Sequence, residues 1–205
     1  MKLYDSRRAP NPRRVRWVMA EKGIEDVEII DVDIFKGTHK EPEYRAKFGF
    51  ANVPALELDD GTGITESVAI ARYLESLYPE PNLFGRDPKE TAVIEMWTRR
   101  AEMNLSTPCM QAVRFSHPAL AAIEPPDPNL AERGTKQAHG FLKALDRRLG
   151  ESEFIAAERI TIADILAYTG MDFARMVKFE PDPGLTNVLR WRDAMRARPA
   201  AKAGV

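Results

Sequence analysis

The feature that most constrains the fold is a break in the sequence pattern at residues 79–88, "PEPNLFGRDP". Three prolines and one glycine within ten residues end any helix that precedes them. Before this segment short strand-like runs alternate with helical periodicity, whereas every long pattern after it is helical. We therefore predict an N-terminal domain at residues 1–78, a linker at 79–88 and a C-terminal domain at 89–205.

The N-terminal pattern predicts a small α/β domain. "KLYDS" near the start is strand-like, and helical spacing of apolar residues follows until Gly23. Residues 27–34 predict a second strand that buries Val27 and Ile29 and runs on through Ile34. After an irregular stretch, two short runs around an Asp-Gly-Thr-Gly turn predict a hairpin, and helical spacing resumes up to Tyr78.

The C-terminal pattern predicts an all-α domain. Helical stretches fit residues 89–116, 130–149, 161–178 and 186–198. Within "ERITIADILAY", Thr161 lies three residues before Asp164, the spacing of a capping box at the start of a helix.

Composition excludes several classes of function. The 31 acidic and 30 basic side chains nearly balance, so the summed charge attracts neither nucleic acid nor an anionic membrane. The single cysteine, Cys109, forms no internal disulfide and no cysteine-built zinc site, and we expect it to be a buried structural residue. The chain opens on "MKLYDS" and has no apolar run of about 18 residues, so we expect a soluble, cytoplasmic protein without a metal.

Four stretches together carry a family resemblance that covers the whole chain. They are "APNPRRVRWVMAEKGI", "KGTHKEPEY", "NVPALELDDGTGITESVAIARYLE" and "ERITIADILAY". The chain resembles the glutathione S-transferase family, which implies a thioredoxin-like N-terminal domain followed by a helical C-terminal domain. The resemblance further implies glutathione as co-substrate, a small hydrophobic electrophile as partner, a homodimer and a role in detoxification.

The resemblance also implies where glutathione binds. Val53-Pro54 matches the family's cis-proline step, whose backbone takes the cysteinyl part of glutathione as an added strand. Glu66 and Ser67 precede a helix, where free N–H groups suit the γ-glutamyl carboxylate and Glu66 can pair with the γ-glutamyl ammonium. Alternatively, Pro54 is an ordinary trans proline that opens a strand, and Glu66 is simply an acidic residue favoured near a helix N-terminus.

Three further residues match positions that contact glutathione in relatives. His39 and Lys40 match the site of the glycyl carboxylate, although a His-Lys pair in a polar loop is commonly just solvated surface. Asn52 falls where relatives often carry a lysine or glutamine that reaches the glutathione peptide.

The residue that stabilises the thiolate of glutathione departs from the usual pattern. Ala9 occupies the position of the catalytic serine or cysteine of relatives, and a methyl group cannot donate a hydrogen bond. Asn11 matches the asparagine of bacterial members with a Thr-Pro-Asn motif, and it equally fits a helix N-cap before Pro12. We predict that Asn11 and the start of the first helix stabilise the thiolate. The rival donors are Ser6, Tyr4 and the five nearby arginines, Arg7, Arg8, Arg13, Arg14 and Arg16.

The hydrophobic substrate site is predicted on the first helix of the C-terminal domain, where Met103, Thr107 and Met110 recur at helical spacing. Residues at this helical spacing are equally typical of the hydrophobic core of a helical domain. The resulting prediction is a glutathione S-transferase, and two alternatives stay open. They are glutathione-dependent reduction of a peroxide or disulfide, and a non-catalytic binding protein on the same scaffold.

Overall fold

A computed structural model describes residues 1–203, which form two compact units. Met1–Asn82 make up the first unit together with residues 202 and 203, and Leu83–Ala201 make up the second. The predicted fold class, a thioredoxin-like α/β domain followed by an all-α domain, is confirmed.

The first unit is a four-stranded mixed sheet with three α-helices. In chain order the elements are β1 (Lys2–Asp5), α1 (Pro10–Lys22), β2 (Glu28–Asp31), α2 (Pro42–Phe48), β3 (Ala55–Glu57), β4 (Gly63–Thr65) and α3 (Ser67–Leu77). The sheet has the strand order β2-β1-β3-β4, in which β1 and β2 are parallel and the other two pairs are antiparallel.

Each face of the sheet packs against its own helices. Leu3 and Leu56 are fully buried in one cluster with apolar side chains of α1 and α3. Tyr4 and Ala55, one residue away on the same strands, belong to a second cluster with Tyr44 of α2. The alternation follows from the period of two along a strand.

Residues 27–34 differ from the prediction in two ways. The strand ends at Asp31, because the Asp33 carboxylate accepts hydrogen bonds from the backbone N–H groups of Phe35 and Lys36 at 3.0 and 3.1 Å and turns the chain. Ile29 is 47% exposed rather than buried, whereas Val27 is buried as predicted.

The stretch predicted as irregular contains a short 3₁₀ turn, Thr38–Lys40, and helix α2. Proline and glycine mark the limits of α2, since Pro42 is its first residue and Gly49 ends it with a φ of 73°. These are the positions that each residue type prefers at helix ends.

The second unit consists of helices. Its α-helices are α4 (Pro88–Ala101), α5 (Thr107–Arg114), α6 (Pro128–Leu149), α7 (Ile162–Phe173) and α8 (Thr186–Ala197). In the part of the chain that the structure describes, none of the helices combines the length and the apolar character needed to cross a membrane.

A π-helical segment, Glu102–Ser106, joins α4 to α5 where the sequence predicted one continuous helix. Pro108 explains the change, because it has no N–H to donate within the helix. The carbonyl of Met103, five residues earlier, instead accepts a hydrogen bond from the Gln137 side chain of α6 at 3.1 Å. Cys109, which follows the proline, is fully buried, and burial raises the pKa of its thiol to about 12.

Two carboxylates fix the ends of helices in the second unit. Asp164 is fully buried and accepts from the backbone N–H and hydroxyl of Thr161, both at 2.9 Å, as the predicted capping box requires. Glu90 in the first turn of α4 pairs with Arg159 and also accepts from the Arg86 N–H at 2.7 Å. The hydrogen bond from Arg159, aided by that of Arg86, lowers the pKa of Glu90 to about 2.

Candidate active site

The strand order brings four loops together at one edge of the sheet. Asp5 at the end of β1 pairs with Asp31 at the end of β2, and Tyr4 pairs with Ala55 at the start of β3. Ala55 in turn pairs with Thr65 at the end of β4. The segments that carry the predicted glutathione contacts, which follow β1, β2 and β4 and precede β3, therefore share this edge. Helices α1 and α3 also begin there, so their free N–H groups give the edge a positive potential.

The first helix begins two residues earlier than the capping interpretation of Asn11 requires. Ala9 is the N-cap and makes no side-chain hydrogen bond, Pro10 is the first helical residue, and Asn11 is the second. Asn11 as an N-cap is thus wrong, because a proline at position 10 already has the φ that starts a helix. The Oδ1 atom of Asn11 is buried and has no hydrogen-bond partner among the described residues. A buried orphan acceptor is rare in proteins and indicates a place for a ligand.

The arginine-rich stretch is largely engaged in holding this edge together. Arg16 forms an ion pair with the buried Asp5 and donates to the carbonyl of Arg7 at 2.8 Å, which fastens the loop after β1 to α1. Burial raises the pKa of the Asp5 carboxyl, and the neighbouring Arg16 guanidinium opposes that effect. Arg8 and Arg7 have exposed side chains.

Arg14 connects the two helix starts. Its side chain is 2% exposed, and its Nη1 atom donates to the Ser67 hydroxyl oxygen at 2.6 Å. Ser67 is itself buried as the first residue of α3. Because Arg14 supplies the donor, the hydroxyl hydrogen of Ser67 is available for an anion at the helix start. A buried guanidinium at this point adds to the helix dipole and favours a carboxylate.

Of the rival donors near the sulfur, Tyr4 points elsewhere. Its hydroxyl donates to Glu57 at 2.7 Å and accepts from Lys47 at 3.1 Å, on the face of the sheet that packs against α2. Ser6 is buried at the predicted edge, and its hydroxyl has no hydrogen bond to another described residue.

The Val53-Pro54 peptide bond is cis, as predicted. Within the described residues 1–203, neither the backbone N–H nor the C=O of Val53 has a hydrogen-bond partner. Asn52 has an exposed side chain, and its backbone carbonyl accepts from the Tyr44 hydroxyl at 2.6 Å. Val53 thus presents one unpaired donor and one unpaired acceptor on the same residue, which is what an added peptide strand needs.

Glu66 lies beside this turn in an unusual backbone conformation. Its φ is 66°, one of two positive values found outside glycine in the described part of the chain. A non-glycine residue at such a φ costs about 1–3 kcal/mol and is typical of functional sites. The Glu66 side chain is exposed and makes no ion pair with any residue from 1 to 203.

His39 and Lys40 differ from each other in their surroundings. His39 is 8% exposed, its Nδ1 atom has no partner among the described residues, and burial lowers its pKa, with the charges of Lys40 and Arg45 adding to the effect. His39 is therefore a neutral ring at pH 7. Lys40 is exposed and supplies the charge.

The predicted substrate residues lie in the second unit. Met103, in the π-helical segment, is 52% exposed, and Thr107 and Met110 of α5 are partly buried. Among residues 1–203 no group of three or more metal-ligating side chains could hold a metal ion.

The sequence does not identify two residues that make contacts at this edge. It does not distinguish Arg14 from the neighbouring arginines, and it gives no reason to choose Tyr44. A helical projection distinguishes Arg14 to some extent, because it lies next to Val15 and four residues before Val18 on the buried side of α1. No comparable signal exists for Tyr44, since its contact to Asn52 depends on the turn of the intervening chain.

Comparison with known proteins agrees with this geometry. Residues 9–77 match the profile described as "Glutathione S-transferase, N-terminal domain", and residues 109–199 match "Glutathione S-transferase, C-terminal domain". The chain is 35% identical to "Glutathione S-transferase 2" of Saccharomyces cerevisiae over 98% of this chain and 88% of that protein.

Two solved structures are similar over nearly their whole length. A glutathione S-transferase domain-containing protein of Marinobacter aquaeolei has a TM-score of 0.90 and 40% identity, covering 98% of this chain and 99% of its own. Gtt2 of Saccharomyces cerevisiae has a TM-score of 0.92 and 33% identity, with both chains covered completely. The chain therefore belongs to the glutathione S-transferase family.

Proposed function

We propose that this enzyme binds glutathione at the sheet edge of its first unit and uses the glutathione thiolate to attack a small hydrophobic electrophile. The observation that carries the proposal is the clustering of unused polar groups at that edge. The backbone of Val53, the carboxylate of Glu66 and the buried amide oxygen of Asn11 all have no partner within residues 1–203. The Asn11 oxygen is the buried one of these groups, and buried polar atoms are nearly always paired in proteins.

Each part of glutathione has a complementary group. The γ-glutamyl carboxylate fits the start of α3, where Ser67 and the buried Arg14 supply donor and charge, and the γ-glutamyl ammonium fits the free Glu66. The glycyl carboxylate fits Lys40, with the neutral His39 ring as a hydrogen-bond donor. We propose that the exposed Asn52 side chain contacts the glutathione peptide as well.

Thiolate formation is assigned to Asn11 and the start of α1. Lowering a thiol pKa from about 8.5 to about 6.5 requires about 2.7 kcal/mol of preferential stabilisation of the thiolate. A hydrogen bond to a charged group contributes about 1.5–3 kcal/mol and a helix start about 0.3–2 kcal/mol. The two contributions together give about 1.8–5 kcal/mol, a range that includes the required value. Ala9 at the N-cap makes no side-chain hydrogen bond to the N–H groups of the first turn.

In the proposed reaction the thiol releases its proton to solvent, and the thiolate sulfur forms a bond to the electrophilic carbon. When the substrate is an aryl halide, the carbon–halogen bond breaks and halide leaves. Met103, Thr107 and Met110 are proposed to line the hydrophobic site for this substrate. We propose further that the protein acts in the cytoplasm as a homodimer in detoxification, on the strength of its family.

Calorimetric titration with reduced glutathione tests the proposal, followed by turnover of a generic aryl halide and of a peroxide. We expect binding and conjugation. Peroxide reduction without conjugation would favour the reductase alternative, and binding without either reaction would favour a binding protein. Absence of binding would refute both the transferase and the reductase.

A further inference from the structure

A hydrogen bond from helix α2 holds the turn that precedes β3. The Tyr44 hydroxyl donates to the backbone carbonyl of Asn52 at 2.6 Å. The Tyr44 ring is 8% exposed and lies 4.8 Å from the Phe48 ring and 5.8 Å from the Tyr4 ring, between centroids. Because three aromatic rings pack together, the hydroxyl is presented from a rigid position.

The geometry of the peptide bond carries this constraint to the next residue. The Asn52 carbonyl and the Val53 N–H belong to one planar trans peptide unit, so they point in opposite directions. With the carbonyl held toward Tyr44, the Val53 N–H points away from α2. That N–H has no partner among residues 1–203.

The hydrogen bond also makes the Val53 N–H a better donor. A bond accepted by the carbonyl of a peptide polarises the N–H of the same peptide, an effect of about 10–30% per bond. Burial, with a smaller effect from Tyr4, raises the pKa of the Tyr44 hydroxyl above its ordinary range, so Tyr44 remains a donor at neutral pH.

We propose that Tyr44 is a positioning residue for glutathione, which orients and polarises the Val53 N–H toward the cysteinyl carbonyl of the ligand. This inference rests on the proposed function. It gives α2 a specific part in the affinity for glutathione rather than a packing role alone.

The test compares Tyr44→Phe with Tyr4→Phe. Both substitutions remove one phenolic hydroxyl from the same aromatic cluster and keep the ring, but only the Tyr44 hydroxyl contacts the turn, whereas that of Tyr4 contacts Glu57 and Lys47. We expect Tyr44→Phe to raise the Kd for S-methylglutathione by about 3- to 10-fold. Tyr4→Phe should leave it within about twofold.

A second readout separates positioning from a general loss of structure. In the parent protein, S-methylglutathione should slow hydrogen exchange of the Val53 amide and shift its NMR resonance downfield. In Tyr44→Phe at saturating ligand both effects should shrink, while the amides of β1 and β3 shift as in the parent.

The outcomes distinguish the inference from the function on which it rests. A parent that does not bind the ligand overturns both. A parent that binds, with equal Kd values for the two variants or with no effect at the Val53 amide, overturns only the role of Tyr44. If Tyr44→Phe does not fold, the Val53 amide of the parent decides alone, and a lack of protection there overturns the inference.

Discussion

Asn11 offers a sharp test of function against stability, because the structure separates its two predicted roles. Its amide oxygen is buried without a partner and does not cap α1. Replacement by alanine should therefore not destabilise the protein through a lost cap. It should instead remove a buried orphan acceptor and, with it, the donor assigned to the thiolate of glutathione.

The expected magnitudes follow from these contacts. An unsatisfied buried polar atom costs about 1–3 kcal/mol, and alanine is a better helix former than asparagine by about 0.5 kcal/mol. Lost packing of the amide group offsets part of this gain. We expect Asn11→Ala to raise the free energy of unfolding by about 1 kcal/mol, or the Tm by about 2–4 °C.

The effect on glutathione should have the opposite sign. Loss of a hydrogen bond to a charged group removes about 1.5–3 kcal/mol of thiolate stabilisation, which raises the pKa of the bound thiol by about 1–2. Asn11→Asp should raise it further, because a carboxylate repels the thiolate. Conjugation at pH 6.5 should then fall about fivefold or more in both variants, because a smaller fraction of the bound thiol is ionised.

Asn129 provides a matched control. It is the second residue of α6 and follows Pro128, just as Asn11 is the second residue of α1 and follows Pro10, but its side chain is exposed. Asn129→Ala should change the Tm by less than about 2 °C and leave the thiol pKa unchanged.

The assay is thiolate absorbance of bound glutathione against pH, measured beside thermal unfolding of the same samples. If Asn11→Ala unfolds at a lower temperature than Asn129→Ala and ionises glutathione as the parent does, Asn11 is a packing residue. Ser6 or one of the nearby arginines would then be the candidate donor to the sulfur.

Three further predictions concern the ligand site and the helical unit. Glu66→Ala or Ser67→Ala should weaken glutathione affinity by about 1–3 kcal/mol, because each substitution leaves a charged group of the ligand with one partner fewer. If calorimetry gives unchanged Kd values for both variants, the two residues are not part of the glutathione site. Lys40→Ala should weaken glutathione binding mildly. The loss should shrink as the salt concentration is raised from about 50 to about 500 mM, because salt screens an exposed charge. A loss of affinity that does not depend on salt would indicate a folding defect instead. For Glu90 the folded pKa of about 2 lies below its ordinary value of 4.5, so its pairing with Arg159 stabilises the fold above about pH 4.5 and is lost as the pH falls toward 2. The full pKa difference corresponds to about 3 kcal/mol, which we reduce to about 1–2 kcal/mol because both side chains remain partly solvated. Glu90→Gln should therefore be less stable than the parent at pH 7 and lose this part of the acid dependence in urea unfolding, whereas parallel stability curves down to pH 2 would contradict it.

Much of the architecture follows from local patterns in the sequence. The prolines at residues 79–88 separate an α/β pattern from a helical one, and the capping box of Thr161 and Asp164 is readable from spacing alone. Such features depend on groups within a few residues of each other, where backbone sterics and short-range hydrogen bonds act. The family motifs further predicted the cis bond at Val53-Pro54.

The state of the site residues was decided by the tertiary structure. The start of α1 at Pro10 leaves Asn11 with a buried, unpaired oxygen, although its local sequence fits a cap. Burial lowers the pKa of His39 further below 7, and the residues "THK" do not show that this ring is buried. In both residues the deciding quantity is access to water, and that depends on chain segments distant in sequence.

The same division between sequence and fold applies to the five arginines of residues 7–16, of which two precede α1 and three lie in it. The sequence places five positive charges within ten residues but does not indicate the interaction partner of each arginine. Packing of α1 against α3 brings Arg14 to Ser67, 53 residues away in the chain, and the end of β1 brings Asp5 to Arg16. The sequence determines side-chain type and helical spacing, whereas the fold determines the partner of each buried charge. A charge is buried only where segments distant in the sequence pack together and exclude water, and it then needs a partner there.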